Sequence, residues 1–100
     1  YARAGMTGAE LDKICRDYIT EKGYGKEFSH STGHGIGLEV HTSPRIFNGN
    51  NVPLEENNVV TIEPGIYIPN FGGVRVEDDV WIQKDGCVPL NRSIKELIEI

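Results

Sequence analysis

Three short stretches hold the side chains suited to binding metals or moving protons. They are His30-Ser31-Thr32-Gly33-His34-Gly35-Ile36-Gly37-Leu38-Glu39-Val40-His41, Thr61-Ile62-Glu63-Pro64-Gly65 and Gly73-Val74-Arg75-Val76-Glu77-Asp78. Gly33, Gly35 and Gly37 interleave with His34. Glycine weakens a strand, so this density suggests that something approaches the backbone closely. Glu63 ends a run of apolar and β-branched residues. A carboxylate there is costly unless it is paired or binds a metal. Arg75 and Glu77 are two residues apart, so on a strand they share one face and leave Val74 and Val76 on the other. Arg75 is then placed to orient a carboxylate.

Each stretch alone has a plainer meaning: a turn with a surface histidine, an exposed strand-end acid stopped by Pro64, or a surface ion pair worth little. Together they offer one histidine and two glutamates beside strands or tight turns. Imidazole nitrogen and carboxylate oxygen suit Mn(II), Co(II), Zn(II) or Fe(II). Structural zinc more often draws on cysteine, and Cys15 and Cys87 lie far apart without ligand spacing.

The elements that must hold these residues follow from periodicity. Residues 7–23 are predicted to form an amphipathic helix. Thr7 and Glu10 fit a capping box. Leu11, Ile14, Cys15, Tyr18 and Ile19 form one stripe, with Asp12, Lys13, Arg16 and Asp17 facing away. Gly23 is a natural stop. Residues 43–58, rich in Asn and Pro, are expected to be mostly loop. Residues 59–62 form a short buried strand, with a second at 66–68. Residues 74–82 alternate as one strand. Asp85-Gly86 is a hairpin turn, and residues 87–90 return beside it. Residues 93–100 form a helical turn or a closing strand. One helix followed by short antiparallel strands is an α+β pattern.

With 100 residues there is room for one domain and not two. The net charge of −5 argues against a nucleic-acid or anionic-membrane surface, each of which needs a basic patch. No apolar run is long enough to span a bilayer and no signal peptide is visible, so the cytoplasm is the expected setting. The opening Tyr1-Ala2-Arg3-Ala4-Gly5 lacks an initiating Met and reads as a segment of something longer.

The ordered motifs H-x-x-x-H-x-x-G-L-x-V-H (30–41), T-x-E-P-G-x-Y (61–67) and G-G-V-R-x-E-D (72–78) resemble the pita-bread metallopeptidases. That family includes methionine aminopeptidase, aminopeptidase P and prolidase. The context Val74-Arg75-Val76-Glu77-Asp78, with Gly65-Ile66-Tyr67, resembles the proline-specific branch, and the short bacterial enzymes of the aminopeptidase P type most of all. The resemblance implies that residues 1–100 are the C-terminal half of a pita-bread catalytic domain. It implies two divalent ions, Mn first, with Co, Zn or Fe also suited. His34 and Glu63 would bind one ion and Glu77 would bridge both. Glu63 would handle the proton of the attacking water. His30 and His41 would orient substrate and steady the tetrahedral intermediate, while Arg75 and Tyr67 would support Glu77 and contact substrate. The substrate would be a peptide with proline at its second position. The chain would self-associate or pair with the N-terminal half, and would be inactive without it.

The sequence departs from the family in three ways. Two aspartate ligands expected from the N-terminal half are absent, since Asp12 and Asp17 lie on the helix in no matching context. Thr42 follows His41 where the family usually has an acid. Asn48-Gly49-Asn50-Asn51 stands where some prolidases carry an arginine for the dipeptide carboxylate. The competing readings are a non-catalytic pita-bread module that binds protein, and a domain whose acids are merely paired or solvated. Retention of His34, Glu63 and Glu77 favours the enzyme.

Overall fold

A computed structural model describes all residues, Tyr1–Ile100. Helix α1 (Gly8–Glu21) begins where its sequence says it should. The Thr7 hydroxyl accepts from the Glu10 N–H at 3.1 Å, and the Glu10 carboxylate accepts from the Thr7 N–H at 2.8 Å. These bonds satisfy donors that a helix start leaves free. The helix ends at Lys22, and Gly23 takes a φ of +90°, which favours glycine.

The predicted helix face needs two corrections. Tyr18, placed on the apolar stripe, is 64 % exposed. Asp12, placed on the outer face, is completely buried. Periodicity assigns a face from apolar residues alone, but here the Asp12 side meets the incoming segment before β1. Its charge is met there by Arg16, four residues on along the helix.

The main sheet is antiparallel and five-stranded, in the order β2-β1-β3-β6-β7. Its strands are β1 (Gly33–Gly35), β2 (Thr42–Ile46), β3 (Val59–Ile62), β6 (Asp78–Ile82) and β7 (Cys87–Pro89). A separate hairpin pairs β4 (Gly65–Ile68) with β5 (Gly72–Arg75). The core consists of Ala2, Leu11, Ile46, Leu54, Val60, Val80 and Ile82, which joins α1 to the sheet.

β2 falls within the stretch expected to be loop. It is an edge strand, where Pro44 is tolerated because one side of the strand needs no ladder hydrogen bonds. The expected single strand over residues 74–82 is two strands in different sheets. β5 pairs with β4, β6 pairs with β3, and the chain crosses between sheets at Val76–Glu77. Residues 93–100 form neither helix nor strand. Ile94, Leu97, Ile98 and Ile100 are exposed. The turn at Asp85-Gly86 does close the β6–β7 hairpin.

Two glycines of β1 are required by close approach. A Cβ on Gly33 would strike the Thr61 carbonyl, and one on Gly35 would strike the Ser43 carbonyl. Strand β1 can therefore lie between β2 and β3 only because these positions lack side chains.

Candidate active site

The site forms where the two antiparallel ladders part. The β3–β6 ladder ends at the Ile62–Asp78 pair, and the β4–β5 ladder starts at the Gly65–Arg75 pair. Glu63-Pro64 and Val76-Glu77 thus face each other across the junction, held by a 3.2 Å hydrogen bond from the Val76 N–H to the Pro64 carbonyl. Neither pair belongs to a strand, so both glutamates are released from the pleat at one level.

Strand β1 brings His34 to this junction. Its backbone N–H donates to the Thr61 hydroxyl at 3.1 Å. That hydroxyl donates onward to Glu63 Oε1 at 3.0 Å. A hydroxyl has one proton and two lone pairs, so Thr61 can serve both partners at once. Thr61 and Glu63 are two apart and point to one face.

His34 Nδ1 lies 2.8 Å from the Gly35 carbonyl oxygen. A carbonyl only accepts, so the ring proton is on Nδ1. Nε2 then faces Glu63 Oε1 at 2.9 Å. In a neutral ring Nε2 presents a lone pair to that carboxylate oxygen, and in a doubly protonated ring it donates to it. Only a second ring proton or a cation turns that meeting into an attraction. The donor set, one imidazole nitrogen and one carboxylate oxygen, suits a first-row divalent ion.

Arg75 ties the second acid to the first. Its Nε is 3.4 Å from Glu63 Oε2, and its Nη2 is 3.3 Å from Glu77 Oε2. Its Nη1 donates to the Tyr67 hydroxyl at 3.3 Å. The guanidinium is held above its ordinary pKa by Tyr67 first, and then by Glu77 and Glu63. The expected partnership of Arg75 with Glu77 holds even though the strand breaks between them. Glu77 joins the His34–Glu63 pair through Arg75. No three His, Cys, Asp or Glu side chains converge closely enough to hold an ion by themselves.

The other two histidines flank the pair. His41 is exposed and its ring meets that of His34 edge-on, with centroids 4.7 Å apart. His30 places Nδ1 2.7 Å from the Ser31 carbonyl, while its Nε2 is buried without a partner. Its ring packs edge-on against Phe28 and Tyr67. Gly65 leaves room for this ring, because a Cβ there would press on His30 Nε2. All seven residues singled out in the sequence therefore lie around one junction. Thr61, Thr32, Asp12 and Arg16 were not singled out. Thr61 carried a sequence signal in its two-residue spacing from Glu63, and Asp12 and Arg16 carried one in their four-residue spacing on the helix.

The model of metallopeptidase family M24 matches residues 1–84. The chain belongs to this family. An Xaa-Pro dipeptidase of Lactobacillus delbrueckii subsp. lactis is 55 % identical over 96 residues, covering 96 % of this M24 chain and 26 % of that protein. The solved Xaa-Pro dipeptidase from Bacillus anthracis is 55 % identical with a TM-score of 0.93, covering 96 % of this chain and 27 % of that one. The X-Pro aminopeptidase from Thermotoga maritima MSB8 is 53 % identical with a TM-score of 0.85, covering 92 % and 27 %. The M24 chain thus spans about a quarter of the length of the relatives it matches. Its helix and short antiparallel strands are part of a pita-bread fold, as expected, and M24 membership implies use of divalent metal.

Proposed function

We propose that the full-length protein hydrolyses the peptide bond before proline, as an Xaa-Pro dipeptidase or aminopeptidase, and that residues 1–100 are part of its catalytic domain. The reading rests on one observation above all. His34 Nε2 and Glu63 Oε1 meet at 2.9 Å while the other ring nitrogen is committed to Gly35. The names of the relatives supply the substrate class.

His34, Glu63 and Glu77 are the residues that would hold two divalent ions, Mn(II) first, with ligands from elsewhere in the protein completing the set. Bound cations acidify water and polarise a carbonyl. Glu63 takes the proton of the water that adds to the scissile carbonyl. The proton passes to the proline nitrogen as the C–N bond breaks. His30 and His41 flank the reacting carbonyl and stabilise its developing oxyanion. Arg75 keeps the two glutamates together, and Tyr67 anchors Arg75 beside His30.

The isolated chain is inactive in this account, because its acids and histidines do not close an ion site alone. The exposed side chains of Leu38 and Val40 beside His41 support a pairing with the rest of the protein or with a second copy. The free thiols of Cys15 and Cys87 support a cytoplasmic setting. No helix is long and apolar enough to cross a membrane.

The test is cleavage of Xaa-Pro and Xaa-Ala dipeptides, and of longer peptides with proline or alanine second, by the full-length protein, after chelation and after return of Mn(II). The expected result is Mn(II)-dependent cleavage of the proline substrates alone. Equal cleavage of proline and alanine substrates, or of neither, overturns the reading.

A further inference from the structure

Helix α1 carries two charged side chains that none of the site assignments uses. Asp12 is completely buried. Its carboxylate accepts four hydrogen bonds, from Arg16 Nε at 2.8 Å, Arg16 Nη2 at 3.0 Å, the Thr32 N–H at 3.2 Å and the Thr32 hydroxyl at 2.8 Å. Such a carboxylate persists in the interior only because these donors replace water.

Arg16 turns its remaining donors onto the backbone. Nη1 donates to the Phe28 carbonyl at 2.9 Å, and Nη2 to the His30 carbonyl at 3.0 Å. The guanidinium also lies 4.2 Å over the Phe28 ring. An ion pair serving only the helix would leave both groups in water, as Lys13 and Asp17 do on the next face. Here every outgoing bond of the pair lands on residue 28, 30 or 32.

Those residues lead into the site. His30 is one of them, and His34 follows two residues after Thr32. The Thr32 carbonyl accepts the Glu63 N–H at 2.7 Å. An unbroken path of hydrogen bonds therefore runs from α1, through residues 28–32, to the backbone of Glu63. The core contacts of Leu11 hold α1 to the sheet independently of this path.

We infer that Asp12 and Arg16 are positioning residues for the peptidase reaction: their buried ion pair clamps residues 28–32 so that His30 and His34 stand in fixed register with Glu63. The inference rests on the Xaa-Pro peptidase reading. Arginine is needed because its planar fork reaches the carboxylate and both carbonyls together, which an ammonium cannot do.

The test uses the full-length protein and two variants, Arg16→Lys and Thr32→Val. The first keeps the charge and loses the fork. The second keeps the shape and the N–H and loses only the hydroxyl bond to Asp12. Steady-state kinetics on an Xaa-Pro dipeptide, Mn(II) calorimetry and thermal unfolding are recorded for each. For Arg16→Lys we expect kcat to fall about 100-fold, KM to stay within about 3-fold and Mn(II) affinity to fall about 10-fold, with cooperative unfolding retained. Thr32→Val gives a smaller change of the same kind, and stands in if Arg16→Lys does not fold. A lower unfolding temperature with wild-type kcat and Mn(II) affinity in both variants would make the pair merely structural and overturn the inference. If the wild type binds Mn(II) but cleaves no Xaa-Pro peptide, the peptidase reading fails and the affinity change alone decides the clamp. A wild type that neither cleaves nor binds Mn(II) overturns both.

Discussion

Glu63 and Glu77 face each other across the break between two antiparallel ladders, and the guanidinium of Arg75 contacts both. Two like charges at one level repel unless a cation lies between them. Arg75 fills that role in this structure, contacting one oxygen of each carboxylate.

Arg75→Gln is therefore expected to weaken Mn(II) binding by about 10- to 100-fold, the usual cost of losing a group that orients ligands. Calorimetry on the full-length protein checks this. Arg75→Lys retains the charge but not the two-acid grip, and recovers only part of the loss.

Thr61→Val is nearly isosteric but leaves the His34 N–H without its acceptor and removes one of the contacts on the Glu63 carboxylate. The expected cost is about 1–3 kcal/mol of stability, the price of an unsatisfied buried donor. Urea denaturation measures it. Thr61→Ser keeps the hydroxyl and restores most of the stability and of the Mn(II) affinity.

Gly33→Ala places a Cβ against the Thr61 carbonyl. Backbone must move to admit it, so the expected destabilisation is at least about 1–3 kcal/mol. The strand that carries His34 shifts with it. A variant with unchanged denaturation midpoint would show that β1 does not lie against β3 as described.

Cys15 provides a pH-dependent signal. Burial first, and then the Asp12 charge, push its thiol above the ordinary value of 9.0. The folded state therefore favours the protonated thiol. Its contribution to stability is complete below the unfolded pKa and is lost as pH rises through the folded one. Cys15 is expected to react with iodoacetamide far more slowly than a free thiol at pH 8, and at the free-thiol rate in denaturant. Peptide mapping after timed alkylation reads both rates.

The parts of this site that are local in sequence were legible. The Thr7–Glu10 capping box lies within one turn. His34, Glu63 and Glu77 were marked by residue type beside glycine or a strand end. The two-residue spacing of Arg75 and Glu77 put them in contact, although the strand holding both divides between them. The burial of Asp12 depends on Thr32, 20 residues away, and helical periodicity has no view of that partner. The division at Val76–Glu77 depends on β3 and β4 pairing with different neighbours, which alternation within residues 74–82 does not encode. Strand β2 was obscured by Pro44, whose acceptability depends on its place at the sheet edge.

The proposed function makes His34 and Glu63 two ligands of one divalent ion. It is tested most directly by Mn(II) calorimetry on the full-length protein beside His34→Ala and Glu63→Gln. Loss of either ligand is expected to weaken binding by more than about 100-fold, beyond the cost of an outer-shell change, with unfolding still cooperative. Mn(II) affinity equal to wild type in both variants would exclude these two residues as ligands and leave the 2.9 Å contact as an ordinary ion pair of a protonated histidine.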